Sequence, residues 1–159
     1  MSATDRGKAK AFNLLKTIEA AINIYSNETA KNKIDIKIKG SESLIFIGYE
    51  SDFYQIIINL FSNSLYWMTR SSKEAKVFSV EIFTDKGELD YIDIKDTGPG
   101  IEKHILDSHA LFEPGFSAKP GGTGIGLSIA GEAALRNNLE LVAFESSCGA
   151  YFRLQTKEI

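Results

Sequence analysis

Cysteine is almost absent, long apolar runs are missing, and positive charge is not in excess. With Cys148 as the single cysteine in 159 residues, no internal disulfide can form, and no Cys/His cluster has zinc spacing. A reducing, cytoplasmic setting is therefore expected. No stretch approaches the roughly 18 to 20 apolar residues that span a bilayer. The polar start MSATDRGKAK lacks the apolar segment of a signal peptide, so no membrane segment is expected in this chain. A net charge of −3 supplies no general basic field, and nucleic acid is not expected as a partner. Internal repeats and low-complexity linkers are also missing.

What is present fits one globular domain. Of the residues, 43% are hydrophobic and 25% charged, enough to build a core. Residues 1–10 are expected to form a flexible tail and 11–159 a single domain. From Ala9 to about Lys31, apolar residues at Phe12, Leu15, Ile18, Ala21, Ile22 and Tyr25 recur every three or four positions, predicting an amphipathic helix. Ile34 to Lys39 alternates strictly, as a half-buried strand does, and Leu44 to Ile47 reads as its partner. A helix is expected from Ser51-Asp52, with Asp52 and Gln55 as a capping box, to about Arg70. Its apolar face is Phe53, Ile57, Leu60, Phe61 and Met68, and Trp67 is expected to pack in the core. Gln55, Asn59 and Asn63, each four apart, line up beside that face.

Alternating runs at Val77 to Thr84, Tyr91 to Asp96, Leu139 to Glu145 and Tyr151 to Gln155 predict further strands. A short helix is expected over Glu102 to Asp107 and a firmer one from about Ile125 to Asn137. Strands that alternate belong to a sheet covered by helices on one face and wet on the other. The expected fold is a two-layer α/β sandwich with a mixed, mostly antiparallel sheet.

Three segments carry chemistry. Two asparagines, Asn59 and Asn63, on one face of an otherwise apolar helix lower its stability unless their amides are used. They are either solvated amides or oxygen ligands for a hard cation such as Mg²⁺. Asp96-Thr97-Gly98-Pro99-Gly100-Ile101 ends a strand and reads either as an ordinary turn or as a carboxylate that accepts from an exocyclic amine, with glycines that admit a flat base. Gly121 to Leu127 is glycine-rich and runs into a helix, whose first N–H groups suit phosphate. It has no Gly-Lys-Ser/Thr and no preceding strand, so neither the Walker nor the dinucleotide pattern fits.

In that order, Asn59 to Asn63, Asp96 to Gly100, Phe112 to Phe116 and Gly122 to Leu127 resemble the N, first G, F and second G boxes of the histidine-kinase catalytic domain. That domain belongs to the gyrase, Hsp90, histidine kinase and MutL ATPase superfamily. The resemblance covers roughly Phe12 to Leu154. It implies Mg-ATP as the bound nucleotide, with Asn63 as metal ligand and Asn59 beside the phosphates. It further implies Asp96 on the adenine amine, Gly98, Gly100 and Ile101 around the base, and Phe112 from the F box. Tyr66 falls where relatives often carry Lys or Arg. A lid follows in which Lys119 is a mobile cation, and Gly122, Thr123, Gly124, Ile125, Gly126 and Leu127 lead into the phosphate-facing helix. Tyr151 stands where relatives have a threonine near adenine, which implies a reshaped base pocket.

Hydrolytic members of the superfamily place a glutamate at the position of Asn59. An amide cannot take a proton from water, so Asn59 favours phosphoryl transfer, with Asn59 and Lys119 as the expected catalytic residues. The two histidines, His104 and His109, do not resemble the family's phosphoacceptor box. The expected acceptor is a histidine on a separate dimerisation domain or partner protein, with a response regulator downstream. A freestanding nucleotide switch and a serine kinase like the anti-sigma factors remain as alternatives.

Overall fold

The computed structural model describes residues 7–108, 110–116 and 126–157. The elements run β1 (Lys10–Asn13), α1 (Leu14–Asn23), α2 (Ser26–Lys31), β2 (Asp35–Lys39), β3 (Ile45–Gly48), α3 (Glu50–Thr69), β4 (Val77–Asp85) and β5 (Glu88–Asp96). They continue with α4 (Lys103–Ser108), α5 (Gly126–Arg136), β6 (Leu139–Phe144) and β7 (Tyr151–Thr156). Five strands form the main sheet in the order β2-β4-β5-β7-β6, and β1 pairs with β3 in a small second sheet. Only β2 and β4 are parallel; the other pairs are antiparallel. The expected mixed, mostly antiparallel two-layer α/β fold is what forms.

The period-two pattern dictates which sheet face is covered. Phe78, Val80 and Ile82 of β4, Ile92 and Ile94 of β5, Leu139 and Leu141 of β6, and Phe152 and Leu154 of β7 are buried on one side. Against them lie the apolar stripes of α1 (Leu14, Ile18, Ala21, Ile22), α3 (Phe53, Ile56, Ile57, Leu60, Phe61, Met68) and α5 (Ala130, Ala133, Ala134). Helix periodicity at three and four residues brings each stripe to one side.

The first predicted helix starts later than its periodicity implies. Lys10–Asn13 is a strand whose Phe12 pairs in register with Phe46, and the two rings meet edge to face at 5.9 Å. Asn13 then caps α1, its Oδ1 accepting from Lys16 N at 3.0 Å, because a side-chain acceptor at this position satisfies an otherwise orphaned N–H. A short apolar repeat cannot distinguish the two periods here. The strand at Ile45–Gly48 consequently pairs with β1 and not with β2.

Helix α3 also departs from expectation. It begins at Glu50, and Tyr49 supplies no side-chain cap. Asp52 is only 2% exposed and is turned to α5: Arg136 forms a bidentate ion pair with it, the Nη2 to Oδ1 distance being 2.9 Å, and Asn137 Nδ2 donates to Oδ2 at 3.1 Å. Asn137 Oδ1 in turn accepts from Tyr49 N at 2.9 Å. The end of α5 and the start of α3 are thus locked together.

The outer face of the sheet is not simply wet. Phe83 stacks on Tyr91 at 4.5 Å, and the Arg153 guanidinium lies 4.0 Å over the Tyr91 ring. Arg153 Nε donates to Asp93 Oδ1 at 2.7 Å, and Tyr151 Oη donates to Asp93 Oδ2 at 2.9 Å. These side chains cover Asp93, which is 7% exposed. The Asp93 carboxylate raises the Arg153 pKa above its usual value; burial, then the bond to Asp93, raises that of Tyr151.

Candidate functional site

Strand β5 ends in Asp96, which is 6% exposed and held from three directions. Its Oδ1 accepts from Gly98 N at 2.9 Å and from Ala150 N at 3.0 Å. Oδ2 accepts from the Ser64 hydroxyl of α3 at 2.5 Å. The Asp96 backbone N donates to Ala150 O at 3.1 Å, so the start of β7 grips both main chain and carboxylate. Bonds of this kind, to both carboxylate oxygens, fix the group in plane.

Two glycines make that close packing feasible. A Cβ on Gly149, whose φ is +73°, would fall on the Asp96 carbonyl oxygen. Gly100, at φ +84°, would place a Cβ 3.0 Å from Gly149 O. Both need the left-handed region that L side chains disfavour. Gly98 leaves open the space beside Asp96 Oδ1, with Trp67 and Met68 next to it. Its carbonyl accepts from Lys73 Nζ at 2.9 Å. Thr97 pins the same turn: its Oγ1 accepts from Val77 N at 2.9 Å and donates to Ala75 O at 3.0 Å.

Along α3, Asn59 and Asn63 are half-buried. Asn59 Nδ2 donates to Gln55 O at 2.7 Å, which turns Oδ1 toward the N-terminal end of α5, where it would lie 3.2 Å from a Cβ on Gly126. Asn63 makes no side-chain hydrogen bond to another described residue, so its amide oxygen can serve a cation or its water shell. One turn on, the Tyr66 ring meets Trp67 edge to face at 5.0 Å, and the Arg70 guanidinium covers Tyr66 at 3.7 Å. Trp67 is half-buried, not enclosed in the core as expected, because α3 has turned its fully buried face to Ser64 and Met68.

The remaining expected residues divide. Ile101 and Leu127 pack against the edge of the core. Phe112 meets Phe152 edge to face at 6.2 Å and lines, with Ser128, Gly131, Leu135 and Leu141, a cleft of ≈ 260 Å³. Lys119, Gly122, Thr123, Gly124 and Ile125, and His109, lie outside the described residues. His104 is exposed, 3.2 Å from Glu102. Tyr151 does not reshape a base pocket: its side chain points to the outer sheet face, onto Asp93, and it is the Ala150 backbone that touches Asp96. In a strand, neighbouring side chains take opposite faces, so Tyr151 and the inward-facing Phe152 lie on opposite sides of the sheet.

Sequence reasoning missed Ser64 and Lys73. Ser64 offered one signal, a hydroxyl within the apolar face of α3. Lys73 lies beyond the helix, and only the folded turn brings it to Gly98.

The α3 asparagines, the locked carboxylate at the end of β5 and the N-terminal end of α5 facing Asn59 are the features on which the sequence reading rested. The family model of histidine kinase-, DNA gyrase B- and HSP90-like ATPases matches residues 48–158, and the chain belongs to that family. It is 28% identical over 121 residues to the sensor histidine kinase ZraS of Salmonella typhi, covering 76% of this chain and 25% of ZraS. It is 31% identical over 122 residues to the sensory histidine kinase/phosphatase NtrB of Shigella flexneri, covering 72% and 34% respectively. The chain thus spans about a quarter to a third of the length of these relatives. Its fold is similar to the catalytic domain of the histidine kinase ThkA, with a TM-score of 0.79 at 20% identity, covering 94% of this chain and 95% of that one. Among the described residues, no helix is long and apolar enough to cross a membrane.

Proposed function

We propose that the chain is the Mg-ATP-binding catalytic domain of a sensor histidine kinase, working in the cytoplasm on a histidine of a separate dimerisation domain or partner protein. A response regulator would then receive the phosphoryl group. The observation that carries the reading is the locked Asp96 carboxylate: its Oδ1 takes the Gly98 and Ala150 N–H groups, and its Oδ2, with Ser64 as its one described donor, keeps a lone pair. That arrangement suits the exocyclic amine of adenine, a donor, and disfavours a keto oxygen. The site also fits a hard cation, since the Asn63 amide has no described internal partner and Asn59 presents Oδ1 toward α5. Mg²⁺, when bound, supplies charge neutralisation for the phosphates.

The residues of the chain then bind and orient. Asp96 selects the base, Asn63 holds the cation, and Asn59 positions the phosphate end without acting as a base. Lys119 and residues 122–125 are proposed to close over the phosphates. Since a positioned base is typically worth about 10² to 10⁴ in rate, its absence at Asn59 favours transfer over hydrolysis. Similarity to sensor histidine kinases supports this reading above that of a freestanding switch or a serine kinase.

The test is incubation of γ-labelled ATP with the chain and its neighbouring coding region. The expected product is acid-labile, base-stable label on histidine, lost in Asn63→Ala. Acid-stable label, or steady hydrolysis by the isolated chain at several turnovers per second, would overturn it.

A further inference from the structure

Asp96 is held unevenly. Both described donors to Oδ1 are backbone N–H groups, which fill the two lone-pair directions of that oxygen. Oδ2 receives only the Ser64 hydroxyl among the described residues. Two bonds to one oxygen leave a carboxylate able to swing about it; a third bond to the other oxygen fixes the plane. At 2.5 Å the Ser64 contact sits at the short end of charge-assisted O–H···O⁻ bonds. Ser64 itself is 3% exposed, on a helix face otherwise made of Ile56, Ile57, Leu60, Phe61 and Met68. Alanine would be the better helix former there and would desolvate no hydroxyl. The hydroxyl therefore has a use that packing does not explain.

We infer that Ser64 is a positioning residue for base selection: it fixes the Asp96 plane so that the free Oδ2 lone pair faces the exocyclic amine of a 6-aminopurine. This rests on the ATP-binding reading and adds a specificity determinant to it. Removing the hydroxyl should act on the amine contact alone, leaving sugar and phosphate contacts intact.

Calorimetric Kd values for ATP and for purine riboside 5′-triphosphate, which lacks only the 6-amine, should be measured on the unaltered chain and on Ser64→Ala. The unaltered chain is expected to prefer ATP by about tenfold or more, the value of one hydrogen bond to a charged group. Ser64→Ala should weaken ATP about tenfold while the analogue changes less than about twofold, a coupling that two remote effects would not show. Equal weakening of both nucleotides would mean a structural role only and would overturn the inference, as would unchanged ATP affinity. Equal binding of the two by the unaltered chain would remove the amine contact, and with it the role of Ser64, while leaving nucleotide binding intact. Binding of neither would remove the nucleotide reading itself. Should Ser64→Ala melt near the assay temperature, Ser64→Cys, similar in size and a weak donor, carries the same expectations.

Discussion

Replacing Asp96 by asparagine separates the structural from the binding role of this carboxylate. In Asp96→Asn, the amide oxygen can take the place of Oδ1 and keep both backbone donors, from Gly98 and Ala150. The amide NH₂ then replaces Oδ2 and donates to Ser64, whose hydroxyl can rotate to accept. All three contacts survive, and only their charge-assisted character is lost, so the fold should lose about 1 kcal/mol. The base feels a larger change. An N–H now opposes the adenine amine, so a charged hydrogen bond worth about 1.5 to 3 kcal/mol disappears and two donors face each other. Together these give about 3 to 4 kcal/mol, or roughly 10²- to 10³-fold in Kd. Inosine triphosphate, with an acceptor oxygen in place of the amine, should lose far less, so the ATP:ITP preference moves toward ITP. Titration calorimetry with both nucleotides and a thermal melt provide the readout. An ATP Kd within about threefold of the parent, with the fold intact, would refute the reasoning. Equal loss for both nucleotides with a collapsed melting temperature would also refute it.

Arg136→Ala removes the bidentate ion pair to the Asp52 carboxylate, 2% exposed, and should cost about 3 kcal/mol by urea melt. Gly149→Ala forces a Cβ onto the Asp96 carbonyl at positive φ; a loss of about 3 kcal/mol or more, with ATP binding reduced in parallel, is expected from chemical denaturation and calorimetry. Tyr151 has its pKa raised above the ordinary tyrosine value by burial and by Asp93, so the folded state keeps this proton longer than the unfolded chain. Its contribution to stability is therefore full below about pH 10 and is lost as pH rises through the folded value. Melts of Tyr151→Phe between pH 9 and 11 should show a shallower alkaline decline than the parent, and parallel curves would contradict this.

How much was legible beforehand varies with the range of the interaction. Strands β2, β4, β5, β6 and β7 and helices α3 and α5 were readable because alternation and three-to-four spacing are local consequences of burying one face. The start of the chain was misread because Phe12 satisfies either period, and only pairing with Phe46 across β3 chooses the strand. Asp52 looked like a cap because its neighbours in sequence allow one, whereas its actual partners, Arg136 and Asn137, lie more than 80 residues away. Tyr151 was expected near adenine from a motif match, which carries no sheet face; alternation along β7 puts its side chain over Asp93.

The amino-acid sequence by itself determined the types and order of the elements from β2 onward, and the motifs at Asn59, Asn63, Asp96 and Gly126, because these depend on spacing within a few residues. Tertiary structure alone decided how the site is held. Ser64 meets Asp96 across 32 positions, Ala150 across 54 and Lys73 meets Gly98 across 25. Hydrogen bonds act over about 3 Å whatever the separation along the chain, so the partners of a buried carboxylate are set by the folded packing of β5, α3 and β7.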